Sequence, residues 1–235
     1  CVLRAAYFNG EVAETGYLTG MKLREEYRRR VDCIRGAYRM IREETESCRL
    51  YTTTILDGNE AAIRLLEKKR AGMPVYHYWG HYTVFCCTAG GKTTLPPGYR
   101  MAKGHPETEA FYRKQLPHLQ LAPLWGSLYG LTGQDYLALC DEKGEIVAAW
   151  AIGNQQAYKQ YTVTRYEGML RCLQWLPTKL FGYPAVPREG VPANYASLAM
   201  VLVRSDRLSL GKAFLQAALS CGGEYDFILA GFHES

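Results

Sequence analysis

Residues 16–56 read GYLTGMKLREEYRRRVDCIRGAYRMIREETESCRLYTTTIL, and three patterns succeed one another along them. The stretch up to Leu23 closes a strand that opens near Glu11. From Tyr27 the apolar positions fall at Tyr27, Val31, Ile34, Tyr38 and Ile41, a spacing of three and four that lays one apolar stripe along a helix and predicts its end near Glu46. Residues 50–56 are rich in Thr, Tyr and Ile and read as a second strand. Strand, helix and strand in this order predict an α/β unit in which the two strands share one sheet.

Upstream, Asn9-Gly10 between two strand-like runs is a strong hairpin signal, because both residues tolerate the positive φ of a tight type I′ turn. Downstream, Asp57-Gly58-Asn59 reads as a turn that caps a helix over residues 60–71, which Gly72 and Pro74 close. Residues 75–87 then read as one long strand or a pair bent at Gly80, and the first unit reads ββαβαβ. CTAGGKTTLPPGY, residues 87–99, breaks both periodicities and is expected to link compact units. The expected organisation is therefore 1–88 for a first unit, 89–98 for a linker and 99–235 for a second unit.

In the second unit, residues 107–116 read as a helix and 136–140 and 146–152 as a hairpin turning through Asp141-Glu142-Lys143-Gly144. A third strand is expected over 158–164 and a helix over 166–176. After a proline-rich stretch come a strand at 198–203, an Ala/Leu-rich helix at 211–220 and a strand at 225–230. Strand, helix, strand thus recurs, and the chain reads as a duplication. The first copy lacks a beginning, the second lacks the helix and long strand that end the first, and Cys1 stands where an initiator Met would. The expectation is the middle portion of a longer protein.

The 235 residues are 48% hydrophobic, 12% aromatic and 22% charged, which excludes collagen, coiled coil and disordered tails. No uncharged apolar run reaches the roughly 18 residues of a membrane span, and residues 1–10 carry no signal-peptide pattern, so no membrane partner and a cytoplasmic location are expected. A net charge of +5 favours anionic ligands without forming the basic stripe of a dedicated nucleic-acid binder. The eight cysteines show no C-x-x-C spacing and are expected to be reduced, mostly buried thiols.

One charge pattern points to a ligand. The helix that begins near Tyr27 opens on Arg28-Arg29-Arg30 and closes on Glu43, Glu44 and Glu46, the reverse of what its dipole favours. Cations at a helix N-terminus become favourable when an anion sits there, since free backbone N–H groups point to the same place. A phosphate would account for the inversion; a solvated charged face is the plainer alternative.

Around this helix GYLTGMKLREEYRRRVDCIRGAY, residues 16–38, resembles the phosphate-loop region of the GNAT (Gcn5-related N-acetyltransferase) superfamily, and the repeated pattern resembles its tandem two-domain members. The resemblance spans nearly the whole chain as pattern and implies two GNAT-like units, each a mixed twisted sheet flanked by helices. It further implies acetyl-CoA as co-substrate, with Met21 and Leu23 on a splayed strand beside the pantetheine arm. Arg28 would take the first position of the family's Q/R-x-x-G-x-G/A motif, with Arg29 and Arg30 beside it, and Val31 and Cys33 stand at its two small positions. Asn59 matches the family's helix-opening Asn, and Leu66 stands where a Tyr would protonate the departing thiolate. In the second copy Arg204, Arg207, Gly211 and Lys212 occupy the corresponding region without the motif's spacing.

The function this implies is acetyl transfer from acetyl-CoA to the amine of a small molecule or protein. The general base is not identified, although Glu25 and Glu26 are close in sequence. Two alternatives stand beside it: a catalytically degenerate interaction module, and a nucleic-acid binder using Tyr158, Lys159, Tyr161, Arg165 and Tyr166. His77 and His81 have helical zinc spacing but lie in a strand-like run without a third ligand, so no metal is expected. Asp135, Asp141, Glu142 and Glu145 read as turn solvation, and residues 181–194 as either a covering loop or a surface insertion.

Overall fold

A computed structural model describes residues 1–27, 30–128 and 130–234. In chain order its elements are β1 (Val2–Phe8), β2 (Glu11–Tyr17), α1 (Val31–Glu44), β3 (Leu50–Thr52), α2 (Glu60–Glu67), β4 (Tyr82–Thr88), β5 (Arg100–Lys103), α3 (Thr108–Gln115), β6 (Leu121–Pro123), β7 (Tyr136–Cys140), β8 (Ile146–Gly153), α4 (Leu170–Leu173), β9 (Tyr195–Val203), α5 (Gly211–Ser220) and β10 (Phe227–His233). They form two mixed sheets flanked by helices, an α+β architecture in two compact units. Among the described residues no helix is long and apolar enough to cross a membrane.

The first unit comprises Cys1–Trp79 and Gln115–Ser127. Its sheet has the order β3-β2-β1-β6. β1 and β2 form the expected hairpin through Asn9 and Gly10, both at positive φ, and β2 and β3 run parallel across the α1 crossover. Ile34 at 3% exposure anchors the apolar stripe of α1, and Leu66 at 7% that of α2.

The second unit comprises Gly80–Lys114 and Leu128–Ser235. Its sheet has the order β4-β10-β9-β8-β7-β5, antiparallel except for the β9–β10 pair, which α5 connects. Leu139, Val147, Trp150, Phe214 and Ala217 pack α5 onto the centre of this sheet, with Trp150 only 1% exposed. The β7–β8 turn is closed by Asp141, whose carboxylate accepts from the N–H groups of Lys143 and Glu145, each at 3.0 Å.

The boundary differs from the expected 1–88, 89–98 and 99–235 division. β4 pairs along its whole length with β10, so residues 80–98 belong to the second unit, while residues 121–123 return to pair with β1 in the first. Gly, Pro and Thr in residues 89–98 mark an irregular segment, but irregular backbone also occurs within a unit. The long strand expected to end the first copy therefore serves the second copy's sheet.

The strand ends differ from expectation because strand-like composition persists where the ladder does not. β2 ends at Tyr17 rather than Leu23, β3 at Thr52 rather than Leu56, and of the expected 75–87 only residues 82–87 are strand, which continues to Thr88. A short 3-10 turn over Glu25–Tyr27 precedes α1, which starts at Val31 and stops at Glu44. Only residues 170–173 of the expected helix 166–176 form, and 158–164 contributes a single bridge, Thr162 to Pro192. Of the cysteines only Cys140 is buried, against the expectation that most would be.

Cutting the chain between Gly98 and Tyr99 should leave neither half with the intact chain's cooperative melting. The 1–98 half keeps β4 without β10, and the 99–235 half keeps β6 without β1. Circular dichroism melts of the halves test this, and a sharp transition of either at the intact chain's temperature would contradict the strand assignment.

Candidate functional site

The β2–β3 pair is short and parallel. Its register runs only from Thr15 opposite Leu50 to Tyr17 opposite Thr52, and the last ladder bond is from Leu18 N–H to the Thr52 carbonyl at 2.8 Å. Thr53 Oγ1 then donates to the Leu18 carbonyl at 2.8 Å, and the Tyr17 hydroxyl bonds to Thr54 Oγ1. Beyond this closure the two segments part. The backbone N–H groups of residues 19–23 make no backbone hydrogen bond among the described residues, leaving donors free along that edge.

Close approach at the seam depends on Gly16. A Cβ there would stand 2.7 Å from Cδ1 of Tyr51. That ring has little freedom to give, because the Tyr51 hydroxyl donates to the Thr45 carbonyl at 3.0 Å and also meets the Thr45 hydroxyl.

Where the segments part lies an open cleft of about 700 Å³. Met21, Lys22 and Leu23 line it on the strand-extension side, Ile34 comes from α1, and Asn59, Ala61, Ala62 and Leu65 come from the α2 region. Arg64, Lys68 and Arg70 complete the lining, which includes no carboxylate. α2 begins where it does because Asn59 Oδ1 accepts from Ala62 N–H at 3.3 Å. Its alanines keep this wall low, so apolar surface and cations share one concavity.

The expected site residues thus separate. Met21, Leu23 and Asn59 meet in the cleft. Val31 and Cys33 fall in the first turn of α1, each half-buried, and neither lines the cleft. Arg30 is the N-cap residue of α1, without a side-chain capping bond, and its guanidinium turns onto the Asp32 carboxylate at 2.8 Å. That guanidinium holds the Asp32 carboxyl below its ordinary range, so the first turn of α1 keeps its own anion. Arg28 and Arg29 lie outside the described residues. Leu66 is buried toward the core rather than lining the cleft, and Glu25 and Glu26 are exposed in the 3-10 turn before α1.

Lys22, Ala61, Arg64, Leu65 and Lys68 belong to no motif that sequence reasoning singles out. The α2 residues nonetheless carry a readable signal, since 61, 64, 65 and 68 repeat by three and four and therefore share one helix face. Sequence does not reveal that this face looks onto a cleft.

The second unit repeats the parting of strands by another device. β9 pairs with β10 only from Tyr195 to Ser197, and its pairing with β8 shifts register where Met200 and Val201 stand opposite Trp150 alone. Met200 takes φ +54 in this bulge, and the buried Tyr112 donates its hydroxyl to the Met200 carbonyl at 2.6 Å. Two of the cations expected nearby are matched by acids: Arg204 pairs with Glu145 and Asp206, and Arg207 with Asp206 at 3.3 Å. Gly211 and Lys212 begin α5.

Other candidate groups hold structure. Asp135 accepts from Thr132 N–H and hydroxyl in a capping box, and the backbone bond is the first cause of its lowered pKa. Lys159 Nζ lies 5.2 Å from the centre of the Tyr161 ring, which packs on buried Tyr195, while the Tyr166 hydroxyl donates to Pro187. His77 and His81 lie outside regular elements, so they form no helical pair. No group of three or more potential metal ligands gathers among the described residues.

No family model matches the chain, and no curated protein matches its sequence.

Gly16→Ala should destabilise the protein by about 1–3 kcal/mol through overpacking against Tyr51, read by denaturant titration. Tyr112→Phe should cost about 1–3 kcal/mol by leaving the Met200 carbonyl without its donor. An unchanged midpoint for Tyr112→Phe would show that the bulge does not need that bond.

Proposed function

We propose that the first unit binds acetyl-CoA in the cleft beside β2 and transfers its acetyl group to an amine. The observation that carries this reading is the parallel pair that opens after Leu18 and Thr52 into a cleft lined by Met21, Leu23 and Asn59. It corresponds to what the GNAT resemblance implies for those three residues. The recurrence of a parallel strand–helix–strand unit at β9, α5 and β10 agrees with the tandem form of that resemblance.

The chemistry has a simple balance. A neutral amine nitrogen bonds to the thioester carbonyl carbon, the carbon–sulfur bond breaks, and sulfur leaves with its electron pair. The free N–H groups of residues 19–23 are suited to polarising the carbonyl, since they need no prior bond to break. The cleft lining contains no Tyr, Cys, His or carboxylic acid. In this reading the thiolate takes its proton from solvent, since an alkyl thiol is mostly protonated at neutral pH. The amine proton goes to water or to Glu25 or Glu26, both exposed before α1.

Leu66, buried where the family's Tyr would donate a proton, favours a second reading, a catalytically degenerate structural or interaction module. Melting scans and turnover separate the two. Acetyl-CoA at 100 times its dissociation constant should stabilise by about 2.7 kcal/mol, and Ala61→Trp, which fills the cleft, should abolish the rise. Amine-dependent release of free thiol then marks transfer. Stabilisation without thiol release removes acetyl transfer but keeps the cofactor site, and no stabilisation at millimolar ligand removes the acetyl-CoA reading and leaves the interaction module.

A further inference from the structure

The cations lining the cleft are distributed in a way that the acetyl-transfer reading does not require. Arg64 is tied to Glu60 one turn away at 2.8 Å. Lys22, Lys68 and Arg70 have no hydrogen-bond or ion-pair partner for their side chains among the described residues, although all three line the same cleft. Lys68 is the C-cap residue of α2, so complementing the helix dipole is one reason for a cation at that position. That reason does not extend to Lys22, which arrives from the strand extension, or to Arg70, which lies beyond the helix end. Like charges lining one cavity, with no carboxylate among the lining, repel one another until an anion enters.

The other end presented to an anion, the start of α1, is already supplied. Asp32 stands in its first turn, where a carboxylate favours the helix dipole, and the Arg30 guanidinium is spent on it at 2.8 Å. A phosphate approaching this turn would meet a fixed negative charge. It would also meet the side chains of Val31 and Cys33 at positions where glycine lets the backbone close on an anion.

The geometry points to Lys68 and Arg70 at the end of α2, with Lys22 from the facing segment, as the groups that hold the phosphates of the cleft's ligand, in place of the N-terminus of α1. This rests on the reading that the ligand is a CoA thioester, and it specifies how such a ligand is seated. The phosphate-bearing nucleotide end lies along the second half of α2, and the aliphatic arm lies on Met21, Leu23, Ile34 and Leu65. The ligand class recognised at the cationic end is a nucleotide carrying more than one phosphate.

The test is isothermal titration of the intact chain with CoA, adenosine 3′,5′-bisphosphate and pantetheine, with melting curves to confirm that each variant folds. Lys68→Ala/Arg70→Ala should weaken CoA and the bisphosphate at least about tenfold and flatten their salt dependence, since charge-assisted bonds are lost. Pantetheine should be unaffected. Arg28→Ala/Arg29→Ala/Arg30→Ala should leave CoA affinity within about threefold, less than one ordinary hydrogen bond contributes. The reverse pattern, loss with the arginine triple and none with the α2 pair, overturns the inference while the acetyl-CoA reading stands. A bisphosphate that binds through Lys68 and Arg70 as tightly as CoA keeps the phosphate site and removes the thioester reading. Absence of binding by both CoA and the bisphosphate overturns the inference.

Discussion

The parallel ladder between β2 and β3 has only three residue pairs, and the cleft depends on its shortness. Parallel strands need a crossover connection, and α1 provides it here. Had the ladder continued to Leu23 and Leu56, every second N–H of residues 19–23 would be bonded to β3 and no cleft would open. The Thr53 hydroxyl on the Leu18 carbonyl and the tight meeting of Gly16 with Tyr51 define where the seam is closed and where it ends. Beyond the seam, the course of residues 18–24 is set by their two ends, one held by the sheet and the other by the turn into α1.

The second unit reaches a similar parting by a different construction. Its β9 is longer, is paired along β8, and carries a bulge at which Met200 takes a left-handed conformation. A non-glycine residue at positive φ carries strain, which the Tyr112 hydroxyl on the Met200 carbonyl offsets. Nearby Arg204 and Arg207 are matched by Glu145 and Asp206, whereas the cations of the first unit's cleft include Lys22, Lys68 and Arg70 without such partners among the described residues. Two units that share a parallel strand, helix and strand step thus differ in how their cations are paired.

Much of the fold is legible from pattern. The Asn9-Gly10 hairpin, the apolar stripe on α1, the β7–β8 turn and the Ala-rich α5 follow from turn chemistry and periodicity, each a property of a few consecutive residues. The ends of β2 and β3 are not legible, since residues up to 23 and 56 still have strand-like composition after their pairing has stopped. The domain boundary is hidden for a related reason. Whether the segment carrying Cys86 and Cys87 pairs with its own sequence neighbours or with β10, about 140 residues later, is not written in its composition. Of the cleft lining, Met21, Leu23 and Asn59 are residues that the GNAT resemblance singles out, whereas Arg64 and Lys68 carry at most a helical spacing whose partner surface is unseen in the sequence, and Lys22 carries no signal.

Sequence alone determined the alternation of strands and helices, the repeat of strand, helix and strand, and the run of cations ahead of the α1 stripe, because these depend on side-chain chemistry over spans of a few residues. Tertiary structure alone decided which strands share a sheet, where the parallel ladders stop, and which cations keep their charge free. Those outcomes depend on residues far apart in the chain, such as Leu18 with Thr52, Met200 with Tyr112 and Lys22 with Lys68. Arg30 shows the division most plainly: its charge is evident from sequence, yet its short bond to Asp32 turns it from a candidate phosphate ligand into half of an ion pair.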